Sequence, residues 1–193
     1  MADLLKQLLA DHANFARAIH ALAHQAELTR TGQRPDFQVV NGIVAYFRDY
    51  AQRVHHPKED LLYNTLKDRA PTNTRGIYDL LATHAGLPAR LEEVEGAAAV
   101  LERDSRASGQ DFRHKVHDFA AYELAHMKQE EAEFLPYALK WLRPEDWAWV
   151  DSPFKDTQDP IFGDQLTAPL QGLLRTILAS DPAVRSDHGR GAS

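Results

Sequence analysis

Apolar residues recur every three or four positions through four long stretches of this chain, and no stretch shows the two-residue alternation of a half-buried strand. The expected fold class is therefore all-α. The first stretch, about Asp3 to Thr29, carries Leu5, Leu8, His12, Phe15, Ile19, Leu22 and Ala26 on one stripe and ends before Gly32 and Pro35. The second opens near Asp36, a suitable N-cap, and carries Val40, Val44, Phe47, Ala51, His55, Glu59, Leu62 and Leu66 up to Pro71. Pro57 lies inside it. Because the apolar period resumes in phase beyond that proline, a kink is expected there and not a helix end. The third stretch, about Thr74 to Asp104, presents Ile77, Leu81, His84, Leu87, Leu91, Val94 and Leu101, with Gly86 and Pro88 as points of bending. The fourth begins after Ser108 and Gly109 and presents Phe112, Val116, Phe119, Glu123, His126, Glu130 and Phe134 before ending at Pro136.

Four such helices joined by short Gly/Pro connections pack most simply as an up-down-up-down four-helix bundle, assigned to residues 1–142. Residues 143–180 read as a C-terminal extension packed on the bundle, with a short amphipathic helix around Leu166 to Leu178. Trp141, Trp147 and Trp149 fall where the two meet, as a cap over the bundle end or as a docking surface for a partner. Residues 181–193 are small, polar and glycine-containing, and read as a flexible tail. A chain of 193 residues has room for one domain and an extension of this kind.

The net charge of −6 argues against a surface that holds phosphate backbones or anionic lipid, so neither nucleic acid nor membrane is an expected partner. No run approaches a membrane span, and the charged opening Met1 to Lys6 lacks a signal-peptide core, which points to a cytoplasmic location. Cysteine is absent, so any metal must be held by nitrogen and oxygen. Against that background ten histidines stand out.

Each of the four stripes contains one of them: His12, His55, His84 and His126. Two are followed four residues later by glutamate, as His55-x-x-x-Glu59 and His126-x-x-x-Glu130. Residues four apart project from one helix face one turn apart, so both side chains of such a pair can reach one metal centre. His12 precedes His55 by 43 residues and His84 precedes His126 by 42, so the pattern H…HxxxE occurs twice, once per helix hairpin. The chain reads as an internal duplication. Folding the two hairpins face to face brings four imidazoles and two carboxylates into one layer of the core, which is costly to bury without cations. Imidazole with carboxylate and no thiolate suits iron, manganese or zinc, and a paired site of this kind points first to two non-haem irons. His56 is a candidate to support the site from behind the ligands and is the main rival to His55 as ligand; Glu123, one turn before His126, is a second supporting candidate. His20, His24, His114, His117 and His188 are expected at the rim or in solvent. A ferritin-like site needs two Glu-x-x-His motifs, and only Glu123 to His126 supplies one.

With these motifs the chain resembles the hemerythrin-like (HHE cation-binding) family over roughly residues 3–140. The resemblance implies that His12, His55, His84 and His126 are terminal iron ligands. It also implies that Glu59 and Glu130 bridge two irons, with an oxo or hydroxo group between them. Oxygen-carrying members have a second histidine one turn after the third-helix histidine and end in HxxxxD; here those positions hold Pro88 and an HxxxE motif. One nitrogen ligand is thus missing unless another group replaces it, and two open irons favour two-electron chemistry on dioxygen, hydrogen peroxide or nitric oxide. The alternatives are a sensor or storage module without catalysis, a repair protein for iron–sulfur centres, and a structural metal site. The chain carries no flavin or nicotinamide fingerprint, so a reductase cycle requires an electron-donor protein or small reductant.

Overall fold

A computed structural model of the chain describes residues 3–70, 80–164 and 166–180, and the architecture among them is all-helical, with no strand. Helix α1 spans Asp3–Leu28 and closes in a 3-10 turn, Thr29–Thr31, stopped by Gly32 in the left-handed conformation at φ +76°. Helix α2, Phe37–Tyr46, starts at the expected cap: the Asp36 carboxylate accepts from the backbone N–H groups of Gln38 at 2.9 Å and Val39 at 3.4 Å.

The expected kink at Pro57 takes a specific form. Between α2 and α3, His56–Arg69, the chain continues as a π-helix over Phe47–His55. The His56 N–H reaches back five residues to the Ala51 carbonyl, and Pro57, which has no N–H to offer, enters the first turn of α3. Helix α3 ends at Arg69, with Ala70 extended ahead of the proline at 71. The same device recurs in the fourth segment. Helix α5, Gln110–Gln129, passes into a π-helical segment, Glu130–Phe134, where the Leu135 N–H bonds the Glu130 carbonyl. Pro136 then sits in the first turn of α6, Leu135–Trp141. The expectation that Pro136 ends the fourth helix is therefore corrected, because the widened turn accommodates the missing donor and the chain stays helical to Trp141.

Helix α4, Leu80–Arg103, runs through Gly86 and Pro88 as one element, and it buries Leu80 where the stripe predicted Leu81. The expected helical start at Thr74 and the expected tail lie outside the described residues.

The buried apolar residues form two clusters. One gathers Phe15, Leu22, Val40, Phe47, Leu91, Val94, Phe112 and Phe119; the other gathers Leu4, Leu8, Leu62, Leu66, Leu80, Phe134, Trp147 and Val150. Each of the four helical segments contributes to both, and the histidine that the sequence singled out lies close to where one cluster gives way to the other.

The extension contains a further helix that the sequence reading did not resolve. Helix α7, Pro144–Asp151, packs on α1 and α3, and the Arg69 guanidinium donates to Asp146 Oδ1 at 2.8 and 3.1 Å. Trp147 is buried in the second cluster and Trp149 is 56% exposed. Helix α8, Ala168–Ser180, packs on α1 and α2. The intervening loop is pinned by Asp159, whose carboxylate accepts from Tyr46 Oη at 2.6 Å and Asn14 Nδ2 at 3.2 Å. No described helix is long and apolar enough to cross a membrane.

Where α8 crosses α2, a Cβ added at Gly42 meets the Leu173 Cδ2 methyl at 2.7 Å. That methyl can rotate away from one carbon but not from a branched side chain. Gly42→Ala is expected to be tolerated, whereas Gly42→Leu should lower the unfolding free energy by about 1–3 kcal/mol and speed proteolysis within α8, read by denaturant titration and limited digestion.

Candidate metal centre

His12 on α1, His55 at the end of the π-helical segment, Glu59 on α3, His84 on α4, and His126 and Glu130 at the end of α5 come together in one buried layer. None is more than 8% exposed. All four imidazoles turn Nε2 inward. Glu59 lies 3.3 Å from His12, 3.3 Å from His55 and 3.5 Å from His84. Glu130 lies 3.4 Å from His12, 3.6 Å from His84 and 3.5 Å from His126. Each carboxylate therefore faces imidazoles from both halves of the duplication.

The outward nitrogens of three of the four are held by acids. His55 Nδ1 pairs with Asp11 at 3.0 Å, His12 Nδ1 with Glu131 at 3.0 Å, and His84 Nδ1 with Asp60 at 2.6 Å. A carboxylate at Nδ1 fixes the tautomer with the proton on Nδ1, leaving the Nε2 lone pair directed into the layer. The arrangement crosses between the halves: Asp60 follows Glu59 and holds His84, while Glu131 follows Glu130 and holds His12. These three acids were missed as functional residues. Each adjoins a ligand candidate in sequence, and a neighbour about 100° further round the helix reaches the flanking helix, so the signal was present.

All four oxygens of Glu59 and Glu130, together with His12 Nε2, lack a hydrogen-bond partner. Buried polar atoms left this way cost free energy unless a cation takes the place of the missing partners. The protonation pattern carries the same message. Burial opposes charge on Glu59, but His55, His12 and His84 hold its carboxyl well below the usual range. Burial and the nearby Glu59 charge push Glu130 well above it. Against their burial, His55 is carried up to about 9 by Glu59 and Asp11, and His84 to about 11 by Asp60, Glu130 and Glu59. Burial drives His126 down to about 3. Cations would replace protons with bonds to the same lone pairs, so the donor set fits metal ions.

His56 and Glu123 also lie against the layer. His56 is buried, its ring nearly parallel to that of His84 at 4.3 Å between centroids, and Nε2 is 3.7 Å from Glu123 Oε1. Burial, with His84 and His55 nearby, keeps the His56 imidazole well below its ordinary pKa and therefore neutral. Glu123 is buried with neither oxygen hydrogen-bonded, and burial raises its carboxyl pKa. Lys58, which sequence reasoning did not single out, is fully buried beside Glu59, with Nζ 5.6 Å over the Phe154 ring. The other described histidines stay away from the layer: His20, His114 and His117 are exposed and His24 is half-buried.

Residues 3–138 match the family model described as the hemerythrin HHE cation-binding domain. No curated protein and no solved structure matches the chain. The match covers well over half of the sequence, and the chain belongs to the hemerythrin HHE family. The acids behind the imidazoles give a direct test of the centre's construction. Asp60→Ala, which frees His84 Nδ1, is expected to weaken metal binding by about 10–100-fold in a chelator competition; unchanged affinity would mean that packing alone orients His84.

Proposed function

We propose that this hemerythrin-family chain holds two non-haem iron ions and uses them to bind or reduce a small ligand: dioxygen, hydrogen peroxide or nitric oxide. The observation that carries the reading is the placement of Glu59 and Glu130, each 3.3–3.6 Å from imidazoles of both sequence halves with no hydrogen bond to its oxygens. Carboxylates so placed can bridge two ions, one between His12 and His55 and the other between His84 and His126. Manganese and zinc suit the same donors, but only a redox metal uses the pair for electron transfer. When bound, a pair of irons supplies two-electron redox chemistry and coordination positions that the protein does not fill.

The chain's own contribution is positioning and exclusion. Asp11, Asp60 and Glu131 orient the imidazoles, and the apolar clusters on both sides of the layer keep bulk water and larger substrates out. That burial supports a diatomic or peroxide ligand over an organic one. Electrons for a reductase cycle would come from a separate donor protein or small reductant.

The same reading includes an up-down-up-down bundle over residues 1–142 with the extension 143–180 packed on it, in a cytoplasmic protein. Its support is the order in which the segments cross the layer. Helix α1 runs from the Leu4 cluster to the Phe15 cluster, α2 to α3 run back, α4 runs forward again, and α5 to α6 return.

Elemental analysis of untagged protein prepared without chelator is expected to give about two irons per chain, with a near-ultraviolet charge-transfer band. One metal, or zinc alone after growth with ample iron, would overturn the redox reading. Glu59→Ala and Glu130→Ala should each lose at least one metal, and two metals retained in both would remove the bridging assignment. His24→Ala and His117→Ala should keep the full complement. Metal removal should lower the melting temperature, since ions bound only by the folded chain stabilise it by mass action. Catalytic loss of peroxide or nitric oxide would identify an enzyme, and a stable reversible oxygenated form would identify a binding protein.

A further inference from the structure

We propose that His56 is a seventh metal ligand, supplying a third imidazole to the ion held by His84 and His126, so that the two metals of the centre are chemically unequal. The proposal rests on the two-metal reading above and specifies how the two ions differ.

One ring nitrogen from each of His56, His84 and His126 lies within 4.8 Å of the others, and all three side chains are buried. Imidazoles bound to one first-row ion at roughly 2.1 Å place their nitrogens about 3 to 4.2 Å apart, so side-chain shifts on the order of an ångström gather all three. His84 and His126 already bring their Nε2 atoms to 3.2 Å. The His56 ring lies nearly parallel to that of His84 and edge-on to that of His126, at centroid distances of 4.3 and 5.6 Å. Among the described residues, none is hydrogen-bonded to its ring. His12, His55 and His84 each pair with a carboxylate at 3.0 Å or less, whereas the nearest carboxylate oxygen to His56, on Glu123, is 3.7 Å away and beyond hydrogen-bond reach.

The other half of the centre has no counterpart. There the cluster is His12, His55 and Glu59, with no third imidazole among the described residues. The duplication breaks at this point, since His55-His56 in the first motif is matched by His126-Met127 in the second, and Met127 is buried. The third helix cannot supply the nitrogen either, because the position one turn after His84 is Pro88. A histidine from α3 thus fills the place that α4 leaves vacant. The ion between His84 and His126 would then be held by three nitrogens and the ion between His12 and His55 by two.

The test uses full-length protein loaded with iron-57. In Mössbauer spectra the wild type should show two unequal quadrupole doublets of equal area. His56→Met makes the first motif match the second, and should bring the doublets together while both irons remain at loading. In His56→Ala one of the two irons should leave to a competing chelator about 10–100 times faster than in the wild type, and added imidazole should restore slow release. Rescue by imidazole distinguishes a lost ligand from lost packing, and circular dichroism of both variants checks that they fold. Two irons in the wild type with spectra and release rates unchanged in both variants would overturn the His56 assignment alone. Fewer than two irons in the wild type would overturn the two-metal reading and this assignment with it.

Discussion

Six ionisable side chains packed into one water-poor layer, between two apolar clusters that every helical segment shares, form the constraint on which the rest of the structure depends. An apolar core tolerates such a layer only if its charges are matched and its lone pairs are used. Hydrogen bonds among the six do not achieve that, because four carboxylate oxygens remain without partners. The structure resolves the difficulty from outside, with Asp11, Asp60 and Glu131 holding the outer imidazole nitrogens, and leaves the inner lone pairs converging on a common space. The helices are therefore organised around the layer at mid-length and not only around their apolar stripes.

The acids cross between the halves in step with the repeated H…HxxxE pattern. Asp60 and Glu131 occupy the same place in the two motifs, one residue after the motif glutamate, and each reaches the lone histidine of the opposite hairpin. A hairpin by itself would have a glutamate without its opposite imidazoles and a histidine without its orienting acid. The two halves complete one another, which gives a physical reason for them to stay in one chain. Departures from this symmetry are correspondingly informative, and His56 against Met127 is the plainest of them.

The fold class and the gathering of the four histidines and both glutamates were legible because an α-helix converts three- and four-residue spacing into a face, and these candidate ligands lie on the same faces as the core. What was not legible traces largely to the π-helical segments. A step of four residues overshoots an α-helical turn by about 40°, so repeated fours drift off a stripe unless the helix widens. Such runs are in the sequence, at Phe47, Ala51, His55, Glu59 and again at His126, Glu130, Phe134, Ala138, and they mark the two places where π-turns form. Projected onto an unbroken α-helix, His56 and Lys58 fall beside the stripe; at the start of α3, just past the widened segment, both are buried. The reach of Pro136 was misjudged for the same reason. Helix α7 went unrecognised because eight residues give too little period to read, although the Pro144-Glu145-Asp146 start carries the expected first-turn chemistry.

The division of the core has a mechanical consequence. Two apolar clusters separated by a polar layer are two candidate units of local unfolding, coupled only where helices pass through the layer. Cations held by residues of all four segments would fasten the clusters at their shared boundary, so that the chain would open as a whole. Without them, the cluster that holds Leu4, Leu62, Phe134 and Trp147 would exchange its amide protons independently of the larger one around Phe15, Phe47 and Phe119. The occupancy of the centre would then set the number of cooperative units in the protein as well as its chemistry.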